Sequence, residues 1–328
     1  MTSEIETIAI QYRAALDAMD NSTLEALTAE WLKVEQGLQR DINALAAEIA
    51  RREAAGEVVT QQMLWDMGSY RRTMANMENL IDQYRIDASG IIARAQYDAG
   101  WLGVLNANDV ISANFYANGL APEFWERLNV EAVENMMATL NNQTPWVQKL
   151  TAIYGADVAA LQSAMIEGIA RGYGDRKMAE MMRDALSIGL NKSLLIAETE
   201  MGRAYRYATV QQYQESGVVV GYKRLVKKET ACLACLLLDG EYYEVESQME
   251  DHPRGFCDTI AVVAGVGAPA WELGSDWLLH QDPERMQEIM GDARYQLWQD
   301  GIKLQDLIYK RDDPYYGLQP AIKALKDL

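Results

Sequence analysis

From Leu24 onward, apolar residues recur three and four positions apart: Leu24, Leu27, Trp31, Val34, Leu38, Ile42, Leu45 and Ile49. At 3.6 residues per turn they fall on one stripe, which predicts an amphipathic helix of roughly 45 Å. Upstream, Ser3 with Glu6 reads as a capping box opening a first helix to about Met19, and Asn21-Ser22-Thr23 starts the striped one. The stripe breaks at Gly56, then resumes as Leu64, Met67, Met74, Met77, Ile81 and Tyr84, with Thr60 placed as an N-cap. Two striped helices joined by a short polar turn predict an antiparallel hairpin. Such a hairpin either packs on itself as a bundle or presents its stripe to a partner as a coiled arm.

Between residues 100 and 121 the helical period weakens, with glycines at 100, 103 and 119 and several asparagines, so a connector is expected there. Pro122 is placed to open the next helix, with Phe124, Trp125, Leu128, Val130 and Val133 on its apolar face. Pro145 punctuates again. Two further helices are expected over 156–170 and 176–186, separated by Gly172-Tyr173-Gly174, with Asp175 capping the second. A long helix over 194–215 ends before Gly217, a natural C′ residue. It carries Thr199, Glu200, Arg203 and Arg206 within one or two turns on overlapping faces, which reads as a structural polar cluster rather than a catalytic one.

After Gly217 the period changes from helical to alternating. Three β-branched and aromatic runs, 218–222, 241–245 and 259–263, are separated by turn residues that include Asp239-Gly240, the pattern of a small antiparallel sheet. A Gly- and Ala-rich loop follows, then a tail in which Pro283, Gly291 and Gly301 punctuate short helices. The expected fold is mainly α: an elongated helical N-terminal region with a helical hairpin (1–105) and a helical segment (120–217). A small α+β unit built on the sheet (218–265) and a helical tail (270–328) complete it.

The sheet segment also holds the chemistry. All three cysteines of the chain and one of its two histidines lie in it. Cys232 and Cys235 form a C-x-x-C knuckle, and His252 and Cys257 follow beyond the Asp-Gly turn. Four such ligands are what a tetrahedral Cys3His zinc site needs, and metal would supply cohesion that so short a segment cannot draw from its own core. Buried free cysteines are the plainer alternative. A redox C-x-x-C lacks its strand-to-helix setting, a zinc deaminase would place H-x-E before P-C-x-x-C, and no H-E-x-x-H occurs.

Bulk composition narrows the classes further. A chain of 328 residues with 49% apolar and 24% charged residues is globular and long enough for more than one packing unit. Its net charge of −18 argues against a surface devoted to nucleic acid. Lys223, Arg224, Lys227 and Lys228 nevertheless form a local basic run, readable as a DNA contact or as a solvated face. The acidic, amphipathic start is no signal peptide, and no apolar run approaches the ~20 residues of a membrane span, so a soluble protein made inside a cell is expected.

The order of these motifs resembles the phage minor head, or head-morphogenesis, proteins of the type of protein F of phage Mu. Ala197-Glu198-Thr199-Glu200 matches the family's A-R-T-E helix, with Glu198 in place of the arginine. Cys232, Cys235, Asp239, Gly240, His252, Pro253 and Cys257 match its C-x-x-C, D-G and H-P-x-C-R-C elements, with Gly255 in place of the first cysteine of the last. Trp277, Leu278, Gln281, Gly291, Arg294, Trp298 and Gly301 match its tail, so the resemblance covers about residues 120–310. It implies a non-enzymatic virion protein of the capsid interior, made in a bacterial host and assembled with the portal protein. Scaffold or major capsid protein and packaged DNA are further implied contacts. The rival reading is a zinc-dependent nuclease or hydrolase of phage origin, against which stand a closed ligand set and the absence of a paired-carboxylate motif.

Overall fold

The structure, a computed structural model, describes residues 4–121, 125–143, 146–170, 175–255, 257–314 and 316–328. Six helices come first: α1 (Glu4–Ala54), α2 (Gln61–Asp66), α3 (Gly68–Ala117), α4 (Val130–Gln143), α5 (Trp146–Ala170) and α6 (Asp175–Ser216). Then follow β1 (Val219–Leu225), α7 (Leu233–Leu237), β2 (Tyr242–Glu244) and β3 (Asp258–Val263). The chain closes with α8 (Gly274–Leu279), α9 (Pro283–Met290), α10 (Asp292–Gln299), β4 (Ile308–Asp313) and β5 (Gly317–Ile322). It is the mainly helical chain with a small α+β part that the patterning predicts. No helix among the described residues is long and apolar enough to cross a membrane.

The chain divides into two compact units. The first joins Asp20–Ala95 to Pro145–Ala197. Its core is made by the two stripes, Leu27 to Ile49 of α1 against Leu64 to Tyr84 of α2 and α3, closed over by Trp146, Leu150 and Tyr154 of α5. Trp31 meets Tyr84 edge-on at 4.8 Å between ring centroids, and Tyr84 meets Tyr154 at 5.5 Å. At Gly37 a Cβ would stand 2.7 Å from Leu80 Cδ1, so α1 and α3 approach closely here. The stripes therefore face inward, and the hairpin packs on itself. Gly56, at φ +86°, ends the first arm, and the Thr60 side chain accepts from Met63 N at 3.3 Å as the cap of α2.

The helices are longer than the sequence pattern predicts. The Asn21-Ser22-Thr23 run lies inside α1 and opens nothing. Each such residue costs only up to ~0.7 kcal/mol in a helix interior, far less than exposing the neighbours Leu16 and Leu27, both buried. Likewise α6 runs through 187–193, joining two predicted helices, because no proline or turn dipeptide interrupts it. Most of the expected 100–121 connector, up to Ala117, is the last part of α3. Its glycines serve packing: a Cβ on Gly103 would stand 2.8 Å from Thr209 Oγ1 and run into the Tyr205 carbonyl of α6, and one on Gly100 would press on Met137 of α4. Residues 125–129 precede α4 rather than opening it, held by Trp125 Nε1 donating to Asn108 Oδ1 (2.7 Å) and by Gln212 bridging Leu128 N and Glu126 O. The expectations for Ser3, Pro122, Phe124, Pro145 and Gly172-Tyr173-Gly174 lie outside the described residues.

The second unit joins Met1–Met19, Gln96–Thr144 and Glu198–Leu328. Its three-stranded sheet has the order β2-β1-β3, antiparallel throughout. The sheet does not close a core alone. Tyr222, Ile260 and Val263 pack with Ala107, Val110 and Ile111 of α3 and with Val210 and Tyr213 of α6. Gly217, at φ +66°, turns the chain from α6 into β1 as its C′ position predicts. The tail departs from the helical expectation: after α10 it forms the hairpin β4–β5, paired from Ile308↔Ile322 to Asp313↔Gly317. Arg294 secures that hairpin by donating to Lys323 O at 2.7 Å, and Gly291 and Gly301 take positive φ at the helix ends.

Candidate metal centre

The two halves of the Cys/His motif are brought together by the sheet. β1 delivers the chain to the knuckle, where Cys232 caps the short helix α7 and Cys235 sits within it, buried. Asp239 braces the return: Oδ1 accepts from Val226 N (3.1 Å), and Oδ2 from Gly274 N (2.9 Å) and Trp271 Nε1 (3.2 Å). Opposite, the turn 252–255 closes through Gly255 N to His252 O at 2.7 Å and feeds Cys257 directly into β3. Arg254, at φ +58°, pins this turn to α6: its N–H donates to Thr199 Oγ1 at 3.3 Å, and its side chain pairs with Glu198.

His252 Nε2 lies 3.3 Å from both Cys232 Sγ and Cys235 Sγ. Its Nδ1 is 2.9 Å from the Pro253 carbonyl, which only accepts, so Nδ1 carries a hydrogen and Nε2 is the nitrogen that faces the sulfurs. That is how a metal-ligating histidine is oriented. The ligand atoms of Cys232, Cys235 and His252 lie within 4.8 Å of one another, and those of Cys235, Asp251 and Cys257 do likewise. The two triads share Cys235. All four sequence candidates are thus brought into one cluster that could hold a metal ion.

The electrostatics favour thiolates at Cys232 and Cys257. A hydrogen bond with Cys235 and another with His252 lower the Cys232 pKa to about 4 against the effect of burial. Cys257 is also lowered, first by its hydrogen bond with Cys235, while Cys235, sharing its proton with both neighbours, is raised. The hydrogen bond to Cys232 raises His252 to about 9. A cation at the shared point would take all three sulfurs as thiolates.

Two supporting groups, read from the sequence as parts of the α6 polar cluster and the basic run, stand instead at this site. Arg206 of α6 reaches the site through Gly255 O (2.7 Å) and Asp251 Oδ2 (3.1 Å). Arg224, expected in an exposed basic run, is completely buried. It donates to Tyr243 Oη at 3.0 Å and to the Glu250 carbonyl. Burial opposes its charge, but Cys257, Tyr243 and Asp251 hold its pKa above the ordinary arginine value. A solvent-shielded guanidinium cannot meet DNA, so the basic run reduces to three lysines. Lys223 Nζ sits 5.9 Å from the Trp271 ring centre, and Lys227 lies 3.9 Å from Asp17. Lys227 and Lys228 line a cavity of about 870 Å³ with Arg13, Trp271 and Trp277. Position alone hints at Asp251, next to His252; nothing in the spacing marks Arg206.

Thr199, Glu200 and Arg203 stay together on α6. Thr199 and Glu200 are buried, Gln96 donates to Glu200 Oε2 at 3.4 Å, and the Arg203 guanidinium lies 5.3 Å from the Tyr316 ring centre. Burial lowers the Arg203 pKa, with Glu200 opposing. No family model matches this chain, and neither a curated protein nor a solved structure matches it.

Proposed function

We propose that this chain is a minor structural protein of a tailed-phage head, carried in the capsid interior and assembled with the portal protein, and that its Cys/His cluster is a structural zinc site. One observation carries this reading. The four residues on which the resemblance to head-morphogenesis proteins turns, Cys232, Cys235, His252 and Cys257, fall into two ligand triads that share Cys235, although they are spread over two loops. A donor set closed by protein side chains leaves no position for substrate or an activated water, so the metal staples and does not catalyse. It would join the α7 knuckle to the edge of β3.

Recruitment rests on protein–protein contact, because a charge of −18 repels duplex DNA. The hairpin stripes are spent on the protein's own core, so the partner meets another face. Scaffold or major capsid protein is a secondary partner, and any DNA contact is weak and salt-dependent. Co-expression with a portal protein from the same genome, followed by affinity capture at moderate salt, tests the role. A portal complex that survives washing is expected. A chain that elutes alone, with portal present and folded, contradicts the assignment.

A further inference from the structure

Resting on the reading of the cluster as a metal site, we propose that the Asp251 carboxylate is a fifth donor to the metal, standing in the space that a side chain at position 255 would fill. The first observation is steric. A Cβ built on Gly255 would coincide with the Asp251 carboxylate, so the missing side chain and this carboxylate compete for one place beside the site. The second is burial. The Asp251 side chain is 2% exposed, yet among the described residues its Oδ2 accepts no hydrogen bond and has only the Arg206 ion pair at 3.1 Å. Buried carboxylates are costly unless paired, hydrogen-bonded or bound to a cation.

The remaining geometry points the same way. Oδ1 accepts from His252 N at 2.9 Å, which fixes the carboxylate on the turn that also presents the imidazole. An Asp251 oxygen lies within 4.8 Å of the Cys235 and Cys257 sulfurs, and Cys235 belongs also to the triad with Cys232 and His252. Three thiolates and a carboxylate around a divalent cation leave two negative charges. Two buried guanidiniums, Arg206 and Arg224, stand beside them. The ligand is a divalent, borderline-soft cation that accepts sulfur, nitrogen and oxygen together.

Cobalt(II) titration of the metal-stripped, reduced full chain tests this, with zinc affinity read by chelator competition. The wild-type chain should show a thiolate-to-cobalt charge-transfer band. Asp251→Ala should keep that band while its d–d bands shift and strengthen as one oxygen donor leaves, and zinc affinity should fall at least about tenfold. Gly255→Cys combined with Asp251→Ala should gain charge-transfer intensity and recover affinity. If Asp251→Ala fails to fold by far-UV circular dichroism, Asp251→Leu, which keeps the shape and removes both oxygens, gives the same d–d readout. Unchanged d–d bands in the folded variant overturn Asp251 as a ligand. No charge-transfer band in the wild-type chain overturns the metal site itself.

Discussion

Two glycines of α3 should respond to the same substitution with opposite sign. Gly103 sits where α3 meets α6. Its carbonyl accepts from Thr209 Oγ1 at 3.1 Å, and an added Cβ would stand 2.8 Å from that oxygen and 3.1 Å from the Tyr205 carbonyl carbon. Both helices meet here backbone to backbone, so no side chain can rotate away, and Gly103→Ala must push the helices apart. Overpacking of this kind costs about 1–3 kcal/mol, and a backbone obstacle places it at about 3 kcal/mol or more. Gly90, in the same helix, has nothing within 4 Å of its added Cβ. Gly90→Ala should instead stabilise by about 0.5–1 kcal/mol, the ordinary gain of alanine in an exposed helix interior. Urea denaturation followed by far-UV circular dichroism measures both. A Gly103→Ala protein within about 0.5 kcal/mol of wild type would show that α3 and α6 do not approach as closely as described, because surface-like tolerance is of that size.

Other substitutions probe other parts of the second unit. Burial raises the Asp258 carboxyl to about 6, against roughly 3.9 when unfolded. The folded chain thus holds a proton that the unfolded chain has released, and stability should fall by about 3 kcal/mol as pH rises from about 4 to about 6. Asp258→Asn should flatten that part of a stability–pH profile, and an unaltered slope would assign it to another group. Arg224→Leu should cost about 3–5 kcal/mol by urea denaturation, since it leaves buried partners of a charge unmatched; a cost under 1 kcal/mol would mean that Arg224 is not buried as described. Reversing Lys223, Lys227 and Lys228 to Glu should leave stability nearly unchanged and abolish any retention on duplex DNA at low salt. Retention that survives would show these lysines to be a solvated face.

Much of this was legible because periodicity reports burial. The two stripes, the Gly56 break, the Thr60 cap, the three strands and the Gly217 turn follow from local spacing and local chemistry. Helix lengths were not legible, because glycine and asparagine carry the same letters in a connector and in a tight helix–helix contact. Only the approach of Tyr205 separates the two cases at Gly103. The β4–β5 hairpin was hidden for a related reason: most of β4 is exposed, so no alternation marks it. At the site, the four candidate Cys/His ligands were readable from residue type and spacing. Arg224 was misread because a lysine-rich neighbourhood suggests solvent, while its own strand position faces Tyr243 and Cys257. Arg206 reads as a member of the polar cluster on its own helix, and nothing local ties it to the distant Cys/His turn.

Zinc bound per chain, with and without Cys235, is the most direct measurement. Cys235 is the residue common to both ligand triads, so Cys235→Ser removes a donor from each. Protein expressed with zinc and purified under reducing conditions without chelator should carry about one zinc per chain, and the Cys235→Ser protein should carry almost none. A wild-type chain that is folded, reduced and zinc-free, or a Cys235→Ser chain that keeps its full complement, would contradict a metal centre at this cluster.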